Sequence, residues 1–152
     1  MEQIKWPFLK QTWGIEFESS KGAYLYTKDG RKILDAAGGA IVNNIGYGRE
    51  EVAEAISKAV INNSYILPPF LTPEREALLD ELRNHWLPPH LTRIHLSSGG
   101  SEANESAVKL AIQYQASRGK PEKNIILTRT LSYHGTTLNM SGISGHEARK
   151  RG

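Results

Sequence analysis

No cysteine occurs among the 152 residues. Disulfides and thiolate metal sites are therefore excluded, and a reducing compartment is allowed. No apolar run approaches the ~20 residues that a helix needs to cross a bilayer. The opening Met1-Glu2-Gln3-Ile4-Lys5-Trp6-Pro7 lacks the basic-then-apolar order of a signal peptide. The expected setting is the cytoplasm, away from membranes. Lysine and arginine number 19 against 16 acids, a net charge of +3, and they are scattered along the chain, so a nucleic-acid footprint is not indicated. His85, His90 and His95 recur every five residues, but Pro88 and Pro89 separate the first two, and neither a helix nor a strand brings that spacing to one face. No metal site is expected. Internal repeats and low-complexity tracts are also missing.

What is present is a globular balance of 39% hydrophobic and 23% charged residues, in a length that suits one ordinary domain. Ile15 and Phe17, then Ala23 and Leu25, alternate with polar neighbours, and Lys28-Asp29-Gly30-Arg31 supplies a hairpin turn before Lys32–Asp35. These features predict a small antiparallel meander. Gly38-Gly39 and Asn43-Asn44-Ile45-Gly46-Tyr47-Gly48 predict irregular backbone at positive φ, either as a plain connecting loop or as a close approach to a ligand or another chain. Val52, Ala55, Ile56, Ala59 and Val60 lie at helical spacing between Glu50 and Ile61, with two acids in the first turn. Tyr65 to Leu71 is strongly apolar but interrupted by Pro68-Pro69, which predicts a non-helical segment covered by another element or subunit. Thr72 and Pro73 open a helix that runs to about His85.

Arg93 to Ser97 reads as a strand running into Ser98-Gly99-Gly100-Ser101. A helix follows from Glu102 to about Ser117, with a buried stripe of Ala103, Ala107, Leu110, Ala111 and Tyr114. Arg118-Gly119-Lys120-Pro121 stops it, and Asn124 to Thr128 suits a strand covered on both faces. Strand, glycine turn, helix and strand make an α/β unit. A glycine turn that opens a helix presents unpaired N–H groups at the positive end of the helix dipole, where an anion binds, and the Ser101 hydroxyl adds a donor. The same residues also serve as an ordinary turn and helix cap. Neither the Gly-Lys-Ser/Thr ending of a P-loop nor the spaced glycines of a dinucleotide site accompanies the turn. Gly99-Gly100-Ser101-Glu102-Ala103 approximates a nucleophile elbow, so a serine hydrolase with Ser101 as nucleophile and His134 as base is one alternative. A non-catalytic anion-binding α/β module is another. Tyr133-His134-Gly135 has the composition expected around a planar ring cofactor, or that of a core tyrosine beside a capping histidine.

The segments SGGSEANESAVKLA from Ser98 to Ala111 and SYHG from Ser132 to Gly135 resemble the phosphate-cup and ring-stacking motifs of the class III pyridoxal-phosphate aminotransferases. They stand in family order and at about family spacing. GAYLYTKDGRKILDAAGG from Gly22 to Gly39, NNIGYG from Asn43 to Gly48 and the following Glu51 to Ile56 resemble that family's N-terminal region. The resemblance implies an incomplete fold type I PLP-transferase. Residues 1–72 would form the N-terminal meander and connecting segment of the small-domain or interface region, and 73–152 would begin the cofactor-binding large domain and its mixed sheet.

By the same resemblance, Gly99, Gly100 and Ser101 would hold the phosphate of pyridoxal 5′-phosphate, Tyr133 would stack on its ring and His134 would lie beside it. Glu102 matches the family's acid after the cup, with a structural or hydrogen-bonding role. Many relatives carry serine where this chain has Gly99, which leaves only a backbone amide there. The implied reaction is ping-pong transfer of an amino group between a small-molecule donor and a keto acid, in a homodimer. Aminomutases and racemases share the same cup. The family's ring-pairing aspartate, its Schiff-base lysine and the threonine that reaches the phosphate from the partner subunit have no matching motif. The expectation is thus an N-terminal portion without catalytic residues, inactive alone. Trp6, Phe8 and Tyr65–Leu71 are expected at a substrate or subunit contact, or buried in the fold.

Overall fold

The computed structural model describes residues 14–150; Trp6 and Phe8 fall outside them. The chain divides into two compact units, Met1–Ala77 and Leu78–Gly152.

The first unit is built on the expected meander. Strands β1 (Phe17–Lys21), β2 (Tyr24–Thr27) and β3 (Lys32–Leu34) pair antiparallel in the order β1-β2-β3. Register follows Lys21 opposite Tyr24, Leu25 between Ser20 and Ile33, and Tyr26 opposite Lys32. The β2–β3 turn is closed by Thr27, which is 2% exposed. Its N–H donates to the Arg31 carbonyl at 3.0 Å, its hydroxyl accepts from the Arg31 N–H at 2.9 Å and donates to Asp29, and Gly30 takes the positive φ of 84° that the turn requires.

After β3 the chain makes a short helical turn, α1 (Gly38–Ile41), in which all four residues lie at positive φ, 56°, 58°, 62° and 69°. The two glycines bear this freely. Ala40 and Ile41 do so against the clash of Cβ with the following carbonyl, at roughly 1–2 kcal/mol each. The Asp35 carboxylate holds the turn, accepting from the N–H groups of Ala37 at 3.1 Å and Gly39 at 2.8 Å and from the Tyr47 hydroxyl at 2.7 Å. These donors, the Tyr47 hydroxyl foremost, hold the Asp35 carboxyl below its ordinary range. Tyr47 also exchanges two backbone hydrogen bonds with Gly22, at 2.8 and 2.9 Å, so the NNIGYG segment lies along the first hairpin.

Helix α2 (Glu50–Asn62) has the expected acids in its first turn. The Tyr65–Leu71 segment is non-helical, as its prolines require, but it is not covered: Tyr65 is 75% exposed and Phe70 59%. Arg75 organises it. The Arg75 guanidinium donates to the carbonyls of Ile66 at 3.1 Å, Leu67 at 3.3 Å, Pro68 at 3.4 Å and also Phe70. Helix α3 (Pro73–Glu81) starts as expected, with the Thr72 hydroxyl accepting from the Arg75 N–H at 3.3 Å. It passes into a π-helical turn, Leu82–Trp86.

In the second unit, α4 (Gly100–Ser117) ends in a Schellman motif at Gly119, φ 73°. Gly119 N–H reaches the Ala116 carbonyl and Lys120 N–H the Gln115 carbonyl, both at 3.0 Å. Helices α5 (Leu138–Ile143) and α6 (Glu147–Lys150) follow. Two expectations fail here. Arg93–Ser97 and Asn124–Thr128 are unpaired, and among the described residues the meander is the only sheet. A strand exists only through its neighbours' ladder bonds, and among the described residues no second strand pairs with either segment. For the same reason the α4 stripe is uncovered: Leu110 is 66% exposed and Tyr114 53%, while Ile125 and Leu127 are 81% and 92% exposed. Among the described residues, Met140 is the buried apolar side chain. No helix among them is long and apolar enough to cross a membrane.

Candidate functional site

The Ser98–Ser101 turn opens α4. Gly99 stands before the helix in extended backbone, φ −173°, with no side chain to cap it. The first amide with a helical acceptor is that of Ala103, bonded to the Gly99 carbonyl at 3.0 Å. The N–H groups of Gly100, Ser101 and Glu102 therefore have no acceptor within the helix and face outward at its positive end. At Gly100 a Cβ would meet nothing within 4 Å, so the approach is open. At Gly99 a Cβ would come within 2.9 Å of a Glu102 carboxylate oxygen. The exposed Glu102 side chain thus folds back over the turn.

Ser101 links this helix end to a segment more than thirty residues on. Its Oγ accepts the Thr136 N–H at 3.0 Å, which leaves the hydroxyl proton for an incoming acceptor. Gly135, φ 142°, permits the approach: a Cβ there would lie 2.5 Å from Ser101 Oγ. Two more side chains of the same helix continue the attachment. Asn104 Nδ2 donates to the His134 carbonyl at 2.7 Å. Glu105 accepts from the Thr137 hydroxyl at 2.6 Å and from Asn139 Nδ2 at 3.2 Å. The Thr137 hydroxyl, then Asn139, hold the Glu105 carboxyl below its ordinary range.

His134 is fixed from its other side as well. Its Nε2 shares a hydrogen bond with Thr128 Oγ1 at 2.8 Å, and its N–H donates to Ser144 Oγ at 3.0 Å. Ser144 is 1% exposed and donates in turn to the Met140 carbonyl at 2.6 Å. Gly145 closes the loop: a Cβ there would meet the Arg129 carbonyl oxygen and the Leu131 nitrogen at 2.5 Å. Tyr133, next to this anchored histidine, is 56% exposed.

Gly100, Ser101, Tyr133 and His134, which the sequence reading singled out, therefore belong to two segments joined through Ser101 and Asn104. The pairing that a serine hydrolase needs is absent. The His134 ring is bonded to Thr128, Ser101 Oγ is engaged by the Thr136 amide, and Ser101 is the second residue of a regular helix instead of standing on the strained turn of an elbow. Sequence reasoning missed Asn104 and Glu105. The one available signal was that residues 101, 104 and 105 share a helix face. The donor set of outward amides, a serine hydroxyl with a free proton and an open approach at Gly100 suits a phosphate monoester.

The chain belongs to the class III aminotransferase family, whose model matches residues 10–151. It is 36% identical to an uncharacterized aminotransferase of Bacillus subtilis over 131 residues, 86% of this chain and 30% of that protein. With the diaminobutyrate–2-oxoglutarate transaminase of Halomonas elongata it shares 33% identity, over 89% of this chain and 29% of the other. It superposes on the crystal structure of a PLP-bound amine transaminase from an uncultivated Pseudomonas species with a TM-score of 0.87 and 25% identity, covering 99% of this chain and 36% of that one. The fold is thus part of the α/β fold type I of the transaminases. The chain spans about 30% of the length of these curated relatives.

Proposed function

We propose that this chain forms the phosphate cup and ring-stacking face of a pyridoxal-phosphate-dependent transaminase. The observation that carries the reading is the joining of the α4 N-terminus to the Tyr133–Thr136 turn through the Ser101 hydroxyl. One side of the site is an anion cradle and the other an exposed aromatic held by an anchored neighbour. The outward amides of Gly100, Ser101 and Glu102, the amide of Gly99 just before the helix and the Ser101 hydroxyl bind the phosphate. Tyr133 covers a face of the ring, and His134 fixes the backbone from which Tyr133 projects. When bound, the cofactor supplies the reactive carbonyl and the electron sink for exchanging an amino group between a small-molecule amine or amino acid and a keto acid, with ping-pong kinetics.

The chain's own residues bind and orient; among the described residues none is placed to move the proton. Lys109 lies two turns along α4, beyond the glycine turn, and lines a hollow of about 570 Å³ with Glu105, Ile112, Asn139, Met140 and Ile143. The chain by itself is therefore inactive on this reading. Residues 1–72 belong to the small-domain or interface region and 73–152 begin the cofactor-binding large domain. The uncovered Tyr65–Leu71 segment supports assembly as a homodimer, and the absence of cysteine suits the cytoplasm.

Calorimetric titration of the product of the complete reading frame with pyridoxamine 5′-phosphate, which binds without forming a covalent bond, tests the cup. Saturable binding competed by inorganic phosphate is expected, and no binding sinks the reading. Labelling of Ser101 by a fluorophosphonate would instead favour the hydrolase.

A further inference from the structure

We infer that Asn104 and Glu105 are positioning residues of this site, which set the offset between the ring-facing turn at Tyr133–Gly135 and the anion-binding amides of α4. The inference rests on the cofactor reading above. Ser101, Asn104 and Glu105 stand at i, i+3 and i+4, so the first two turns of α4 present one continuous polar edge. Along that edge the helix meets Thr136, His134, and the pair Thr137 and Asn139.

These contacts differ in kind from a generic brace. Asn104 grips a main-chain carbonyl at the residue beside Tyr133, at 2.7 Å. Glu105 takes the Thr137 hydroxyl at the start of α5, which fixes the far end of the same turn. With the His134 ring and N–H held by Thr128 and Ser144, the turn is restrained on its far side, and its offset from the helix is set by Asn104 and Glu105 together with the Ser101–Thr136 bond. The anion cradle does not depend on them, since its donors are α4 amides and Ser101. Their loss should therefore separate recognition of a ring-bearing phosphate from recognition of phosphate itself.

The test uses the product of the complete reading frame with Asn104→Asp, Glu105→Ala and Glu105→Gln, titrated with two probes, pyridoxamine 5′-phosphate and inorganic phosphate, alongside the thermal midpoint of each variant. Asn104→Asp sets a carboxylate oxygen against the His134 carbonyl, and Glu105→Ala removes the acceptor. Each should weaken pyridoxamine 5′-phosphate about tenfold and lower the induced circular dichroism per bound ligand, with inorganic phosphate held within about twofold. Glu105→Gln keeps an acceptor oxygen for Thr137 and should recover most of the loss. Parallel weakening of both probes, or no change in either, would overturn the inference while leaving the cofactor reading intact. A wild-type protein that binds phosphate but not pyridoxamine 5′-phosphate sinks the cofactor reading and this inference with it.

Discussion

Ser101 uses its lone pairs on the Thr136 amide and keeps its proton for a ligand. Removing the hydroxyl costs a donor to an anion and strands a backbone N–H. Ser101→Ala is therefore expected to weaken phosphate-ligand binding by roughly ten- to a hundredfold, since hydrogen bonds to charged groups are worth ~1.5–3 kcal/mol; titration with pyridoxamine 5′-phosphate checks it. Gly135 sits against the same hydroxyl. Gly135→Ala forces a methyl group to 2.5 Å from Ser101 Oγ, well inside van der Waals contact, at a φ of 142°. A loss of about 2–4 kcal/mol in stability is expected from overpacking and strain together, read from denaturant unfolding. From the sequence, Ser101 was visible as a member of a small-residue turn and Gly135 as the glycine beside Tyr133 and His134. Their contact was not, because it joins positions 34 residues apart, and local spacing reports nothing across that distance. Asn104 and Glu105 were hidden for the same reason.

At the scale of elements, local chemistry was legible wherever the partners were close in sequence. The Lys28–Arg31 turn, the acids opening α2, the Thr72 cap and the Gly119 stop all act within a few residues, and all are found. Arg93–Ser97 and Asn124–Thr128 depend on neighbours supplied from elsewhere, and they stand unpaired. The left-handed turn α1 was half legible: Gly38 and Gly39 announced positive φ, but Ala40 and Ile41 carry no sign of it. Ala40→Gly should relieve part of this strain and raise stability by about 1 kcal/mol, less the extra freedom given to the unfolded chain, whereas Ala40→Val should lower it. Thermal unfolding separates the two. The carboxylates of Asp35 and Glu105, each held below its ordinary pKa, make their elements acid-sensitive. Their stabilising contribution is complete above the ordinary values of 3.8 and 4.5 and fades as pH falls through the lower folded values. Hydrogen-exchange protection of the Gly39 amide should follow that course in the wild type, and in Asp35→Asn it should be weak throughout.

For the whole molecule, the uncovered surface dominates. Tyr65, Ile125, Leu127 and Leu138 are each 75% exposed or more, far beyond the scattered apolar residues of an ordinary surface. The 152-residue chain alone is expected to bind a hydrophobic dye such as anilinonaphthalene sulfonate, to self-associate, and to melt without a sharp cooperative transition. A monodisperse monomer with a single steep melt would count against this. The family assignment does not depend on that outcome, because it rests on residues 10–151 as a sequence.

The turn at Gly38–Ile41 has one more consequence, in the language of stereochemistry. Its backbone occupies the region that is relaxed for mirror-image residues, so a chemically ligated chain bearing D-alanine at position 40 should form the turn without the penalty that the L-residue carries. The same handedness keeps Ala40 and Ile41 out of the extended conformation that proteases bind, although the Ile41 side chain is 81% exposed.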